Sequence, residues 1–112
     1  MTGTRTEFDD RARTWDEDLA KRQRAQRVAA TIAARVPSLA EKRVLEYGAG
    51  TGLLGLALQP LVAEVTLADV SRGMLTVADE KIASGKLHNA RTLLLDLTSA
   101  PAPESRFDLV CT

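Results

Sequence analysis

With 112 residues, 45% of them apolar, and 15 basic side chains balancing 15 acidic ones, the chain has room for one domain and carries no bulk charge that would draw it to a polyanion. No apolar run is long enough to span a bilayer, and the opening Met1-Thr2-Gly3-Thr4-Arg5-Thr6-Glu7 lacks the apolar core of a signal peptide. One cysteine, Cys111, and one histidine, His88, exclude an internal disulfide and leave too few ligands for a Cys- or His-based metal site; a reducing, cytoplasmic setting is the expectation.

Residues 1–43 form a predicted helical lead-in. They hold ten Lys and Arg against seven acids, whereas 44–112 hold five against eight. The basic run Lys21-Arg22-Gln23-Arg24 with Arg27 is interleaved with Leu19, Ala25, Val28, Ala29, Ile32 and Val36 at helical spacing. That pattern reads as the solvated face of a helix over 16–36. No aromatic residue lies among these bases to stack a nucleotide, so a nucleic-acid partner is not expected. Pro37 ends the helix, because the residue before a proline is forced out of helical geometry.

A strand is predicted over 43–47, and it runs into the most informative stretch of the chain, Val44-Leu45-Glu46-Tyr47-Gly48-Ala49-Gly50-Thr51-Gly52-Leu53-Leu54. Glycines at 48, 50 and 52 permit positive φ and remove the Cβ atoms that would hold a ligand away from the main chain. The dinucleotide-binding fingerprint places a third glycine five residues after the first, where this chain has Leu53. Glu46 at the mouth of the loop opposes a pyrophosphate and favours a ligand carrying positive charge. A cationic nucleoside therefore fits better than a nicotinamide dinucleotide, which stays as the rival reading alongside a module that binds without turnover.

A helix over 52–59 is predicted to stop at Pro60, and a second strand at 64–68 is followed by Asp69, where an aspartate can accept hydrogen bonds from both ribose hydroxyls. Ser71 is a plausible N-cap for the next helix. Met74, Leu75, Ala78 and Ile82 give that helix an apolar stripe, and Gly85 is its expected end. A third strand at 91–95 runs into Asp96, a possible acceptor for an adenine amino group. Residues 98–106, rich in Pro, Ser and Ala, read as a loop before a fourth strand at 107–112. Strands alternating with helices imply a parallel sheet with right-handed crossovers. In such a sheet the ligand crevice lies beyond the carboxyl ends of the strands, which would bring Glu46, Asp69 and Asp96 to one cleft.

The segments VLEYGAGTGLLGLAL, VTLADVSRGML, TLLLDL and FDLVCT, in this order and at these distances, resemble the successive motifs of class I S-adenosylmethionine-dependent methyltransferases. The resemblance runs from about residue 44 to 112, with a weaker likeness to small-molecule members around Phe8, Asp9 and Trp15-Asp16. It implies a three-layer Rossmann-like α/β fold of strand order 3-2-1-4, cut off after the fourth strand. It also implies S-adenosyl-L-methionine as cofactor. Glu46, Tyr47, Gly48, Ala49, Gly50 and Gly52 would surround the methionine part, Asp69 would hold the ribose, Val70 and Met74 would lie beside the adenine, and Asp96 would meet its amino group, with Leu97 next to it in the cofactor-binding set. Cys111, also in that set, follows the fourth strand near where the methyl should point, although a small core residue is the commoner role for such a cysteine. Tyr47 departs from the small or aliphatic residue often found at its position. The family usually builds its acceptor pocket after the fourth and fifth strands, so no catalytic base is identifiable in this chain. A small-molecule acceptor is the expectation. The apolar fourth strand, an interior strand in the family, would here be an edge; it predicts a homodimer or strand swap, or else a fragment of a longer protein.

Overall fold

The computed structural model describes residues 18–98 and 107–112, and the lead-in residues Phe8, Asp9, Trp15 and Asp16 and most of the 98–106 loop lie outside that range. Helix α1 spans Leu19–Arg35. It starts where Asp18 accepts a hydrogen bond from the Lys21 amide at 3.2 Å, three residues after the position expected from periodicity, because a capping carboxylate terminates the helix. It ends one residue early as well, since Val36, ahead of Pro37, is extended with φ of −101°.

Four strands follow: β1 at Arg43–Tyr47, β2 at Glu64–Asp69, β3 at Ala90–Leu94 and β4 at Leu109–Cys111. All pair in parallel, in the order β3-β2-β1-β4 expected for the family. β3 begins and ends one residue earlier than the reading of 91–95, and β4 keeps only three of the six residues predicted for it. The sheet is held at the entry to β4 by a reciprocal pair of hydrogen bonds: the Arg43 amide donates to the Asp108 carboxylate at 2.9 Å, and the Asp108 amide to the Arg43 carbonyl at 2.8 Å. The first of these bonds is the main reason the Asp108 carboxyl titrates below the usual carboxylate range.

The register places Val44 beside Val65 and Glu46 beside Leu67, so the even residues of β1 and the odd residues of β2 share one sheet face. Ala29 of α1, Leu58 of α2 (Leu53–Leu58) and Ala78 of α3 (Arg72–Gly85) pack onto that face with Val44, Val65 and Leu67. The lead-in helix thus shares a core with the sheet. The opposite face carries a smaller cluster of Leu45, Ala68 and Leu95 with Tyr47, Leu93 and Phe107. All three described helices therefore belong to one of the two helical layers of the fold class.

Connections differ from the sequence reading in ways that have local causes. Helix α2 ends at Leu58, and Pro60 sits inside a following 3-10 turn, Gln59–Leu61, where the missing amide hydrogen is not needed. A second 3-10 turn at Leu39–Glu41 precedes β1. Gly85 is the last helical residue of α3, and the left-handed residue that ends the helix is Lys86, with φ of 52°. Ser71 caps α3 as expected: its hydroxyl accepts from the Met74 amide at 3.2 Å and the residue is wholly buried. Ser71→Ala is expected to cost about 1 kcal/mol of stability, the usual worth of such a cap, measurable as a lower urea midpoint at unchanged slope.

Candidate functional site

The candidate site is built where β1 and β2 end side by side and the chain turns into α2 and α3. The loop after β1 is fixed by the neighbouring strand. The amides of Gly48 and Ala49 both donate to the Ala68 carbonyl, at 2.8 and 2.9 Å, and the Gly50 amide donates to the Asp69 carboxylate at 2.7 Å. Gly48, Gly50 and Gly52 all have positive φ, between 61° and 85°. Gly52 also lacks room for a side chain, since a Cβ there would lie 2.8 Å from Leu67 Cδ1. Gly48 is the opposite case. A Cβ there would meet nothing within 4 Å, which marks the open side of the loop.

Glu46 does not project from the mouth of the loop into solvent. It is 8% exposed, and its Oε1 accepts a hydrogen bond from the Gly55 amide at 3.0 Å, at the third residue of α2. β1 thereby caps the helix that follows the glycine loop. Burial raises the Glu46 carboxyl to about 7; the Gly55 amide works against this, and the charge of Asp69 adds to it. Glu46 and Asp69 are thus electrostatically coupled, as adjacent strand ends in one crevice should be.

Asp69 uses both carboxylate oxygens locally. Oδ2 takes the Gly50 amide and Oδ1 takes the Ser71 amide at 2.9 Å. Its first task in the fold is to join the glycine loop to the start of α3, and the lone pairs left over are what a ribose would have to use. Asp96 closes a turn of its own: its Oδ1 accepts from the Thr98 amide at 3.0 Å and the Thr98 hydroxyl at 2.6 Å.

The remaining candidates are spread around the same strand ends. The Tyr47 hydroxyl accepts from the Leu97 amide at 3.2 Å, tying β1 to the segment after β3, while the Leu97 side chain is exposed. The Leu95 amide donates to the Asp69 carbonyl at 3.0 Å, which closes the gap between β2 and that segment. Met74 is buried with its sulfur 3.9 Å from where a Gly50 Cβ would be, Ala49 is buried, and Val70 is half-buried. Cys111 is the register partner of Glu46; burial, then the Glu46 charge, push its thiol up. His88 is exposed at the opposite end of the sheet, just before β3 starts.

Two residues escaped the sequence reading. Gly55 looks like an ordinary helical glycine, yet a Cβ there would lie 2.1 Å from Leu67 Cδ2 and 2.9 Å from Glu46 Oε1. A glycine inside a predicted helix was the available signal, because it marks close approach of another group. Lys81, far away in sequence, donates from Nζ to the Thr51 carbonyl at 2.9 Å; nothing in the sequence announces that contact.

The sequence profile of a family described as a methyltransferase domain matches residues 44–112. An uncharacterised methyltransferase of Bacillus subtilis, YcgJ, is 35% identical over 71 residues, covering 63% of this chain and 28% of YcgJ. The YcgJ crystal structure superposes with a TM-score of 0.64 at 30% identity, over 73% of this chain and 35% of that one. The DhpI complex with S-adenosylhomocysteine superposes with a TM-score of 0.72 at 25% identity, over 96% of this chain and 50% of DhpI. The S-adenosylhomocysteine complex of magnesium protoporphyrin IX methyltransferase from Synechocystis shares the fold, with a TM-score of 0.68 at 23% identity over 82% of this chain and 41% of that one. The chain thus spans between about a quarter and a half of the length of these relatives.

Proposed function

Since the chain belongs to the methyltransferase domain family, we propose that it is the cofactor-binding part of an S-adenosyl-L-methionine-dependent methyltransferase. The observation that carries the reading is the buried Glu46 carboxyl, coupled to Asp69 behind a glycine loop whose outer side is open at Gly48. A buried acid poised near neutrality is stabilised in its charged form by an incoming cation and destabilised by a pyrophosphate. That favours a ligand with an ammonium and a sulfonium over a nicotinamide dinucleotide.

In this reading Gly48, Ala49, Gly50 and Gly52 lie along the methionine part, with Glu46 and Tyr47 behind them. Asp69 takes the ribose, Val70 and Met74 the adenine face, Asp96 and Leu97 the adenine edge, and Cys111 stands near the transferred methyl. S-adenosylmethionine supplies an already activated methyl group, so the protein's contribution is alignment, worth up to about 7–11 kcal/mol of barrier in well-oriented systems. The acceptor we favour is a small molecule, because the basic residues of α1 have no aromatic neighbours in the sequence to hold a nucleic acid. The cytoplasm is the compartment that suits a chain with a single cysteine. Among the described residues no helix is long and apolar enough to cross a membrane.

Calorimetry with S-adenosylhomocysteine and with NAD tests the cofactor. The thioether should bind and NAD should not; the reverse order returns the chain to the dinucleotide class. Asp69→Ala is expected to weaken S-adenosylhomocysteine binding by about 2 kcal/mol, the order of hydrogen bonds to a charged group. Unchanged affinity would remove Asp69 from the ribose. A methyl-transfer assay separates an enzyme from a module that binds without turnover.

A further inference from the structure

We propose that Lys81 is a positioning residue for the cofactor loop: its ammonium, reaching from α3, fixes the orientation of the Thr51–Gly52 peptide unit. The two ends of that one peptide are held by different partners on opposite sides. Its carbonyl, on Thr51, accepts from Lys81 Nζ at 2.9 Å, and its amide, on Gly52, donates to the Ala49 carbonyl at 3.0 Å. A peptide followed by a glycine is the kind that flips, because rotation about ψ of one residue and φ of the next reverses the plane, and glycine accepts either sign of φ. Gly52 is in the left-handed region at φ of 85°. A flip would take its amide away from Ala49 and its neighbour's carbonyl away from Lys81 in one motion.

Asp69 pins the Gly50 amide, in the Ala49–Gly50 peptide, from the β2 side. Lys81 is the complement from the helix side. A carboxylate holding the amide of residue 50 and an ammonium holding the carbonyl of residue 51 place opposite charges on two peptide units of the loop that have one unit between them. Thr51 itself is fully buried between them. Lys81 reaches its acceptor along the wall of a cavity of about 250 Å³ between α1, α2 and α3, lined also by Arg22, Gln26, Leu53 and Leu56. Because the Lys81 side chain borders that space and is only half-buried, a shortened or neutral side chain at 81 should leave the fold standing while freeing the peptide.

The binding consequence rests on the cofactor reading above; the peptide clamp does not. In the 112-residue chain, Lys81→Met should raise the dissociation constant of S-adenosylhomocysteine about tenfold, the order of one charge-assisted hydrogen bond. Lys81→Arg, which keeps a donor, should restore it to within about threefold. Both are measured at a temperature where circular dichroism finds each variant folded. Without ligand, hydrogen exchange at the Gly52 amide should be about tenfold faster in Lys81→Met than in the parent, with Leu67 in β2 unchanged. Equal Gly52 exchange in the two proteins overturns the inference, as does a Lys81→Arg variant as weak as Lys81→Met. A parent chain that fails to bind S-adenosylhomocysteine would defeat the cofactor reading, and the Gly52 exchange ratio would still decide the role of Lys81.

Discussion

Glu46→Gln should make the ligand-free chain more stable at pH 8, by about 3 kcal/mol, and at the same time bind S-adenosyl-L-methionine more weakly. The first half follows from linkage. The carboxyl titrates near 4.5 when exposed and at about 7 in the fold, and each pH unit of difference corresponds to about 1.4 kcal/mol. Because the folded value is the higher one, the contribution of Glu46 to stability is fully present below pH 4.5, where both states are protonated, and is lost as pH rises through about 7. Glutamine stays neutral throughout and keeps an oxygen for the Gly55 amide. The gap between variant and parent should therefore grow from under about 1 kcal/mol at pH 5 to about 3 kcal/mol at pH 8. Urea unfolding at the two pH values measures it, and a gap independent of pH would mean that Glu46 is not the buried acid described.

The second half has the opposite sign for the same reason. What destabilises the empty fold is an uncompensated charge, and a ligand with an ammonium and a sulfonium supplies the compensation. A neutral side chain leaves nothing for that cation to relieve. Stability and affinity moving in opposite directions on one substitution is the pattern of a strained site, and a purely structural acid would not produce it.

The strand ends and the glycine spacing made most of this site legible in the sequence. Apolar runs leading into Glu46, Asp69 and Asp96 gave the positions of three parallel strands to within a residue, because strands buried in a parallel sheet read as continuous apolar segments. The direction of each carboxylate was not legible. Asp96 finds Thr98 two residues away and Glu46 finds an amide nine residues away on the next helix; either choice is compatible with the same strand. The left-handed position at Lys86 in place of Gly85 has the same origin, since a helix end is set by where the next contact pulls the chain. β4 shortened for a different reason: its only described partner is β1, and the register supports pairing over Leu109, Val110 and Cys111.

Gly55→Ala is the substitution that tests how α2 is seated, and it should cost about 3 kcal/mol, the upper part of the range for overpacking a core. In an open helix the change would help, by up to about 1 kcal/mol, because alanine orders its backbone at lower entropic cost. Here the new methyl would stand 2.1 Å from Leu67 Cδ2 and 2.9 Å from Glu46 Oε1. Leu67 has no exposed surface through which to retreat, and Glu46 is nearly as enclosed. The helix has to rise off the sheet, which lengthens the bond from the Gly55 amide to Glu46 and moves the loop that α2 anchors. Shortening the opposing side chain should recover part of the loss. The double variant Gly55→Ala/Leu67→Val is expected to be more stable than the sum of the single effects by about 1 kcal/mol or more, the coupling seen between residues in direct contact. Additive losses in urea unfolding would instead mean that the helix already has room to move, and that the glycine is there for some reason other than the approach of β2.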